Sequence, residues 1–142
     1  MSKLVYIMVG APGSGKSTRT KMHTEGKVSA VVSADHFFES SGTYVFDRSK
    51  LHLAHLHSQR KYVEALDNPD IEVVVVDNTN TTAKERKFYL DLAKSRGYSV
   101  FFDVLECDAK TCYARNVHGV PLDAIERMIA RIDLPYGLSK AV

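Results

Sequence analysis

Short apolar runs alternate along this chain with longer segments whose apolar positions recur every three or four residues. The short runs predict β-strands, and the periodic segments predict amphipathic α-helices. The four consecutive valines at 73–76 are typical of a strand that is buried on both faces. The predicted strands are Leu4–Val9, Val28–Ser33, Ile71–Asp77 and Tyr98–Leu105. The predicted helices are Lys16–Glu25, Ser49–Leu66, Thr82–Arg96, Asp108–Asn116 and Pro121–Asp133.

Strands that alternate with helices predict an α/β fold, in which a parallel sheet of about four strands carries helices on both faces. The 142 residues are expected to form one domain, because 44% are hydrophobic and 25% are charged, as in ordinary globular proteins. Ligands of such sheets bind beyond the carboxyl ends of the strands. Three polar segments follow strands there, and we expect them to meet on one rim: residues 10–18, 33–35 and 77–80.

The first of these segments reads GAPGSGKST and matches the phosphate-binding pattern G-x-x-x-x-G-K-[ST] between a predicted strand and a predicted helix. Its glycines let backbone N–H groups surround a phosphate. Lys16 reaches the β- and γ-phosphates, and Ser17 offers its hydroxyl to Mg²⁺. The segment predicts a site for ATP or another nucleoside triphosphate. The expected nucleotide contacts are Arg115, further along the chain, and nine residues of this segment: Gly10, Ala11, Pro12, Gly13, Ser14, Gly15, Lys16, Ser17 and Thr18.

Asp77 ends the valine strand, and we expect it to hold Mg²⁺ directly or through water. The alternative is a carboxylate that caps a helix or a turn. The next residue is Asn78, whereas ATP-driven motors usually place a water-activating glutamate near this point. The sequence N-K-x-D of guanine-specific switches does not occur either. Phosphoryl transfer to a bound acceptor is the chemistry that these observations favour.

Asp35 follows the second strand, and we expect it to take the proton of an acceptor hydroxyl. The alternative is an N-cap for a short helix at 37–40, since aspartate is a preferred cap. Three aromatic residues lie nearby and could stack on a base of the acceptor or belong to the core. They are Phe37, Phe38 and Tyr44.

Small polar residues at 78–82 could bind a sugar or phosphate of the acceptor, with Thr79 and Asn80 as the expected contacts. They could also begin the next helix, and Glu85 completes a capping box if Thr82 is the cap. Both roles are compatible.

The excursion at 115–121 separates two predicted helices and is expected to act as a lid, with Arg115 stabilising the transferring phosphoryl group. Arg127 and Arg131 are interpreted as solvated residues, with Arg127 matched to Asp123.

A metal site made by the three histidines of the predicted helix Ser49–Leu66 is disfavoured, because no cysteine or carboxylate completes a ligand set. These histidines are His52, His55 and His57, and His55 fits a structural or acceptor-pocket role.

The net charge of +2 is too weak to indicate a nucleic-acid partner and does not exclude one. No apolar run approaches the ~18 residues of a membrane span, so no membrane association is expected. The first apolar run leads into the phosphate loop and is interpreted as a core strand rather than a signal peptide. The two cysteines, Cys107 and Cys112, match no zinc or redox spacing, which favours a reducing, cytoplasmic setting.

From residue 3 to residue 133 the chain resembles the polynucleotide kinase branch of the P-loop kinases. The resemblance rests on GAPGSGKST, on SADHFF at 33–38, on DNTN at 77–80, and on RNVHGVP at 115–121 followed by IERM. It implies a three-layer P-loop fold with strand order 2-3-1-4 and a short helical lid. It also implies that Asp35 is the general base, that Lys16 and Ser17 bind phosphate and Mg²⁺, and that Arg115 is the lid arginine.

Two positions depart from the bacteriophage enzyme of that branch. Phe38 stands where the phage enzyme has an arginine that reads the phosphate next to the reactive hydroxyl, and Gly119 replaces a second lid arginine. The expected function is transfer of the γ-phosphate of ATP to the 5′-hydroxyl of DNA or RNA. A kinase for a nucleoside, nucleotide or sugar and a nucleotide-binding module without transfer remain as alternatives.

Overall fold

The computed structural model describes residues 3–39 and 46–134, so Tyr44 lies outside the described residues. The strands are β1 (Leu4–Val9), β2 (Ser29–Val32), β3 (Val73–Val76) and β4 (Ser99–Val104). The helices are α1 (Lys16–Thr24), α2 (Asp35–Phe38), α3 (Leu51–Asp67), α4 (Ala83–Ser95), α5 (Ala109–Arg115) and α6 (Leu122–Arg131). A 3₁₀ turn at Arg48–Lys50 leads directly into α3.

The four strands form one parallel sheet in the order β2-β3-β1-β4, which confirms the predicted topology. In this register Tyr6 of β1 lies beside Val75 of β3 and Phe101 of β4. The four valines of β3 are all buried, as their continuous apolar run predicted. Because the strands are parallel, the segments that follow β1, β2 and β3 emerge at the same edge of the sheet.

The predicted boundaries of the strands and long helices agree with the structure to within two residues. The structure differs from the prediction at α2, a short helix that begins at Asp35. The sequence suggested a short helix here only at 37–40, as part of the alternative in which Asp35 is an N-cap. The N-cap position is Ala34, and Asp35 is the first helical residue. The alternative reading of Asp35 as an N-cap is therefore wrong.

The core divides along the two faces of the sheet. On one face, α3 and α4 bring Tyr62 and Tyr89 against Val5, Ile7 and neighbouring strand residues. On the other face, α1 packs over β1 and β3, with the ring of its His23 stacked 3.8 Å from the ring of Tyr6. No described helix is long and apolar enough to cross a membrane.

The first turn of α4 confirms Thr82 as the N-cap, since its hydroxyl accepts a hydrogen bond from the Glu85 N–H at 3.2 Å. The reciprocal half of the capping box falls one residue earlier than predicted. The Glu85 carboxylate accepts from the N–H of Thr81 at 2.8 Å and from its hydroxyl at 3.0 Å. The loop before α4 is thereby fixed by two successive threonines.

A buried network of polar side chains connects the segment before α2 with helices α3 and α4. The side-chain oxygen of Asn78 accepts a hydrogen bond from the Ala34 N–H at 2.8 Å, and the side-chain nitrogen of Asn78 donates to the Ser58 hydroxyl at 3.2 Å. Ser58 and the Tyr89 hydroxyl are 2.9 Å apart, and Tyr62 donates to the Tyr89 carbonyl at 2.8 Å. Asn78 therefore links the residue before α2 to both α3 and α4.

Substitution of Asn78 should expose how much this network stabilises the fold. We expect Asn78→Ala to lower the free energy of unfolding by about 2–3 kcal/mol, because it leaves the buried Ala34 N–H without its partner and removes one of the two partners of the buried Ser58 hydroxyl. Urea denaturation measures the change. Ser95→Ala, which removes a hydroxyl bound only to Leu92 on the exposed side of α4, should change stability by less than about 0.5 kcal/mol. Equal effects of the two substitutions would contradict this role of Asn78.

Candidate functional site

The glycine-rich segment forms a tight loop between β1 and α1. Gly13 and Gly15 adopt the left-handed region, with φ of 84° and 103°. A Cβ atom at Gly13 would lie 2.0 Å from the Cys112 carbonyl oxygen of α5. Position 13 therefore requires glycine both for its backbone conformation and for the close approach of α5.

Lys16 folds back over this loop. Its Nζ atom donates to the carbonyl oxygens of Gly10 at 2.9 Å and Ala11 at 3.0 Å. Burial lowers the pKa of Lys16, and the nearby carboxylates of Asp77 and then Asp35 oppose that shift. The ammonium group thus shares one electrostatic environment with two carboxylates from other segments of the chain.

Asp77 shows the same convergence from its own side. Burial raises the pKa of its carboxyl group above the ordinary value, the positive charge of Lys16 opposes this, and the like charge of Asp35 adds to it. Lys16, Asp35 and Asp77 follow β1, β2 and β3 respectively. The structure therefore brings together on one rim the three charged groups that sequence reasoning placed there.

Two serines of the phosphate loop have different surroundings. The Ser14 hydroxyl oxygen is buried and has no hydrogen-bond partner among the described residues. The Ser17 side chain is exposed at the start of α1. Within residues 3–39 and 46–134, no cluster of three or more His, Cys, Asp and Glu side chains could hold a metal ion. A magnesium ion held partly by phosphate oxygens does not need such a cluster.

Asp35 lies opposite the lid. Its carboxyl side chain is 50% exposed, and its Oδ2 atom is 3.9 Å from Nε2 of His118 in the loop between α5 and α6. Sequence reasoning missed this contact, although His118 stands inside the lid segment that begins at Arg115. The lid loop consequently reaches the carboxylate that is the candidate base.

The loop after β3 has a structural role besides any contact with an acceptor. Asn80 is buried with φ of 48°, and its amide nitrogen donates to the Met8 carbonyl at 2.7 Å. The Thr79 carbonyl accepts from the Gly10 N–H at 3.0 Å. Phe38 is buried with Ala34 and Ala54. The acceptor contacts predicted at Phe38, Thr79 and Asn80 stay predictions.

The arginines of the lid region differ in their surroundings. Arg115 ends α5 with an exposed side chain and forms no ion pair with a described residue, so its catalytic role stays a prediction. Arg127 pairs with Asp123 at 2.8 Å, which confirms the solvated pair. Arg131 is also exposed, as expected, and in addition it donates to the Thr81 hydroxyl at 3.2 Å, a contact that the sequence did not reveal.

Residues 5–135 match the AAA domain family, AAA_33, which covers most of this chain. The chain belongs to this family. Its sheet order and its structural neighbours show the fold of the P-loop kinases.

The chain is similar to several known proteins and solved structures, and it spans less than a third of the length of the curated proteins that it matches. Human NEDD4-binding protein 2 is 32% identical over 148 residues, which cover 98% of this chain and 8% of that protein. A chain in the structure of the Pnkp1/Rnl/Hen1 RNA repair complex matches with a TM-score of 0.65 and 19% identity, over 92% of this chain and 44% of that one. A gluconokinase from Sinorhizobium meliloti 1021 matches with a TM-score of 0.61 and 17% identity, over 96% and 77%. The structural matches show the shared fold.

Sequence reasoning also missed Arg86. Its guanidinium is buried on α4 and donates to the Asn80 carbonyl at 2.8 Å and to Asp133 at 2.5 Å. The Asp133 N–H in turn donates to the Thr81 carbonyl at 2.8 Å. The residues after α6 are thus fixed to the loop that follows β3. The available signal in the sequence was that an arginine stands at a position of α4 where the helical pattern calls for an apolar residue.

The close approach of α5 to the phosphate loop gives a paired test. We expect Gly13→Ala to destabilise the domain at least twice as much as Gly26→Ala, because both glycines have positive φ but only Gly13 also meets a backbone oxygen. Gly26→Ala should cost about 1–2 kcal/mol from backbone strain alone. Urea denaturation and titration with a fluorescent ATP analogue measure stability and affinity. Equal losses in the two variants would mean that the contact with Cys112 is unimportant.

Proposed function

We propose that this P-loop kinase domain transfers the γ-phosphate of ATP to the 5′-hydroxyl of a polynucleotide. The observation that carries the proposal is the convergence of Lys16, Asp35 and Asp77 on one rim of the sheet. A module that only binds a nucleotide has no need of a second carboxylate beside the phosphate loop. Asp35 therefore favours a domain that acts on an acceptor.

The proposed reaction is a direct phosphoryl transfer. Asp35 takes the proton of the acceptor hydroxyl as its oxygen forms a bond to the γ-phosphorus. The bond between that phosphorus and the oxygen bridging to the β-phosphate breaks, and ADP leaves. Lys16 compensates negative charge on the phosphate oxygens, and Arg115 does so from the lid when the lid closes over ATP.

The residues of the site fit a magnesium ion bound together with ATP. The Ser17 hydroxyl is exposed beside the phosphate loop. Burial raises the pKa of the Asp77 carboxyl group, and a cation bound next to it would favour its charged form. Ser17 and Asp77 are the residues that would hold the ion. Bound there, Mg²⁺ would neutralise charge on the β- and γ-phosphates.

Two observations support a polynucleotide as the acceptor. The lid sequence at 115–121 resembles that of polynucleotide kinases, and the fold matches a chain of an RNA repair complex. A small acceptor is the second candidate. It is favoured by Phe38, which replaces the phosphate-reading arginine. It is also favoured by the similarity to a 6-phosphofructo-2-kinase/fructose-2,6-bisphosphatase from Aquarana catesbeiana, which is 30% identical over 87% of this chain and 30% of that protein.

The free thiols of Cys107 and Cys112 support a reducing, cytoplasmic location.

An acceptor screen tests the proposal directly. The domain is incubated with radiolabelled ATP, Mg²⁺ and 5′-hydroxyl oligonucleotides of DNA or RNA, in parallel with nucleosides, nucleotides and sugars. We expect label to enter the 5′-hydroxyl strands and not strands whose 5′ end already carries phosphate. Transfer to a small acceptor alone would replace the polynucleotide by that acceptor. ATP binding without transfer to any acceptor would overturn the kinase proposal.

The base role of Asp35 makes a separate prediction. Asp35→Ala should lower kcat by about 10²–10⁴-fold, because proton transfer contributes that much, and should leave the affinity for ATP nearly unchanged. Lys16→Ala should abolish transfer and also weaken ATP binding, since Lys16 acts on the donor. Steady-state kinetics and ATP titration separate these effects. A kcat within about tenfold of the native value would show that Asp35 is not the base.

A further inference from the structure

Residues 48–63 carry an unusual charge for this chain. They include Arg48, Lys50, Arg60 and Lys61 and no aspartate or glutamate, so they contribute +4 with neutral histidines. The whole chain carries +2, so the remainder, +2 less +4, is net negative by two. The positive charge of this domain is therefore concentrated in the 3₁₀ turn and in α3 up to residue 63.

Two of these four cations have local partners. Lys61 pairs with Glu64 at 3.5 Å, and Arg60 lies 3.4 Å from the imidazole of His57. Arg48 and Lys50 are exposed and form no ion pair with any residue in the described ranges. The adjacent acid, Asp47, accepts hydrogen bonds from the backbone and hydroxyl of Ser49, which engages it in starting the 3₁₀ turn. Arg48 and Lys50 are thus exposed to an external anion, and the charge of Lys50 contributes, after the hydrogen bonds from Ser49, to lowering the pKa of the Asp47 carboxyl group.

This charge lies beside the candidate base. The first turn of α3 packs Ala54 against Ala34, the residue before Asp35, and against Phe38, the last residue of α2. Since α3 returns the chain to the amino end of β3, its first turn stands at the carboxyl edge of the sheet, where ATP is proposed to bind. The turn that carries Arg48 and Lys50 therefore lies at the same edge of the sheet as Asp35.

An exposed aromatic ring completes the surface. Phe46 is 52% exposed, and its ring lies 5.1 Å from that of buried Phe38. One part of the Phe46 ring is thus held by the interior while the rest faces solvent, two residues before Arg48. Aromatic rings next to cations are the combination that binds single-stranded nucleic acid, through base stacking and phosphate contacts.

We propose that Phe46, Arg48 and Lys50 form an acceptor strip that binds the nucleotides following the reacting 5′ end of a single strand. This inference rests on the proposed function and deepens it, because it makes the acceptor a strand rather than a mononucleotide. Phe46 stacks on a base, and Arg48 and Lys50 neutralise backbone phosphates. The strip supplies phosphate contacts that Phe38, in place of an arginine, does not supply next to the reactive hydroxyl.

The test compares a short and a long acceptor. KM is measured for a nucleoside 3′-phosphate and for a 5′-hydroxyl strand of about twelve nucleotides, and the ratio of the first KM to the second reports the contribution of the nucleotides beyond the first. The double variant Arg48→Gln/Lys50→Gln should lower this ratio by about tenfold at low salt. Phe46→Ala should lower it by a similar factor, because the stacking surface for a base is removed.

The control removes the same charge on the opposite edge of the sheet. Lys27→Gln/Lys94→Gln changes two exposed lysines, one before β2 and one near the end of α4, and should leave the ratio as in the native domain. Binding of the strand should also become less dependent on salt only in the Arg48/Lys50 variant. The slope of log affinity against log salt should fall by about 0.7 for each backbone phosphate that the variant no longer neutralises.

Three other outcomes count against the acceptor strip. If strands are phosphorylated but both double variants behave like the native domain, the strip is overturned and the polynucleotide kinase proposal stands. If the ratio falls equally in the control, the effect is general charge and not this surface. If no strand is phosphorylated and a small acceptor is, the strip and the proposed polynucleotide function fall together.

Discussion

The loop that follows β3 fixes the ends of the two neighbouring strands by direct hydrogen bonds. The Asn78 side chain holds the Ala34 N–H after β2, and the Asn80 side chain holds the Met8 carbonyl in β1. The Thr79 carbonyl holds the Gly10 N–H where the phosphate loop begins. The phosphate loop and α2 therefore have fixed positions relative to each other. The distance between Lys16 and Asp35 depends on these hydrogen bonds.

The same loop is fixed from outside by the end of the lid region. Arg86 on α4 joins the Asn80 carbonyl to Asp133, and Arg131 donates to Thr81. Because removal of one partner of a buried charged group leaves the other without compensation, these contacts connect α6 firmly to the rim. His118, at the other end of the lid, lies 3.9 Å from Asp35. The lid loop and the end of α6 therefore contact two different segments of the rim.

The charges at the rim oppose stability of the isolated domain. Burial lowers the pKa of Lys16 and raises that of Asp77, so both groups are held where their charged forms are disfavoured. Their mutual attraction offsets part of this cost. Such an arrangement is expected where a triphosphate and a metal ion provide the missing compensation, since binding to the folded state alone adds stability.

The sequence by itself determined the strands, the long helices and the phosphate loop, because apolar period and glycine spacing are local properties of the chain. The alternation of strands and helices indicated a parallel sheet, and the order of its strands followed from the resemblance to polynucleotide kinases. The sequence also placed Lys16, Asp35 and Asp77 on one rim, since parallel strands present their carboxyl ends together. Only the tertiary structure decided that Asp35 begins a helix and that Arg131 binds Thr81. It alone revealed buried Arg86 and the approach of His118 to Asp35, because these contacts join residues far apart in sequence whose spacing carries no periodic signal.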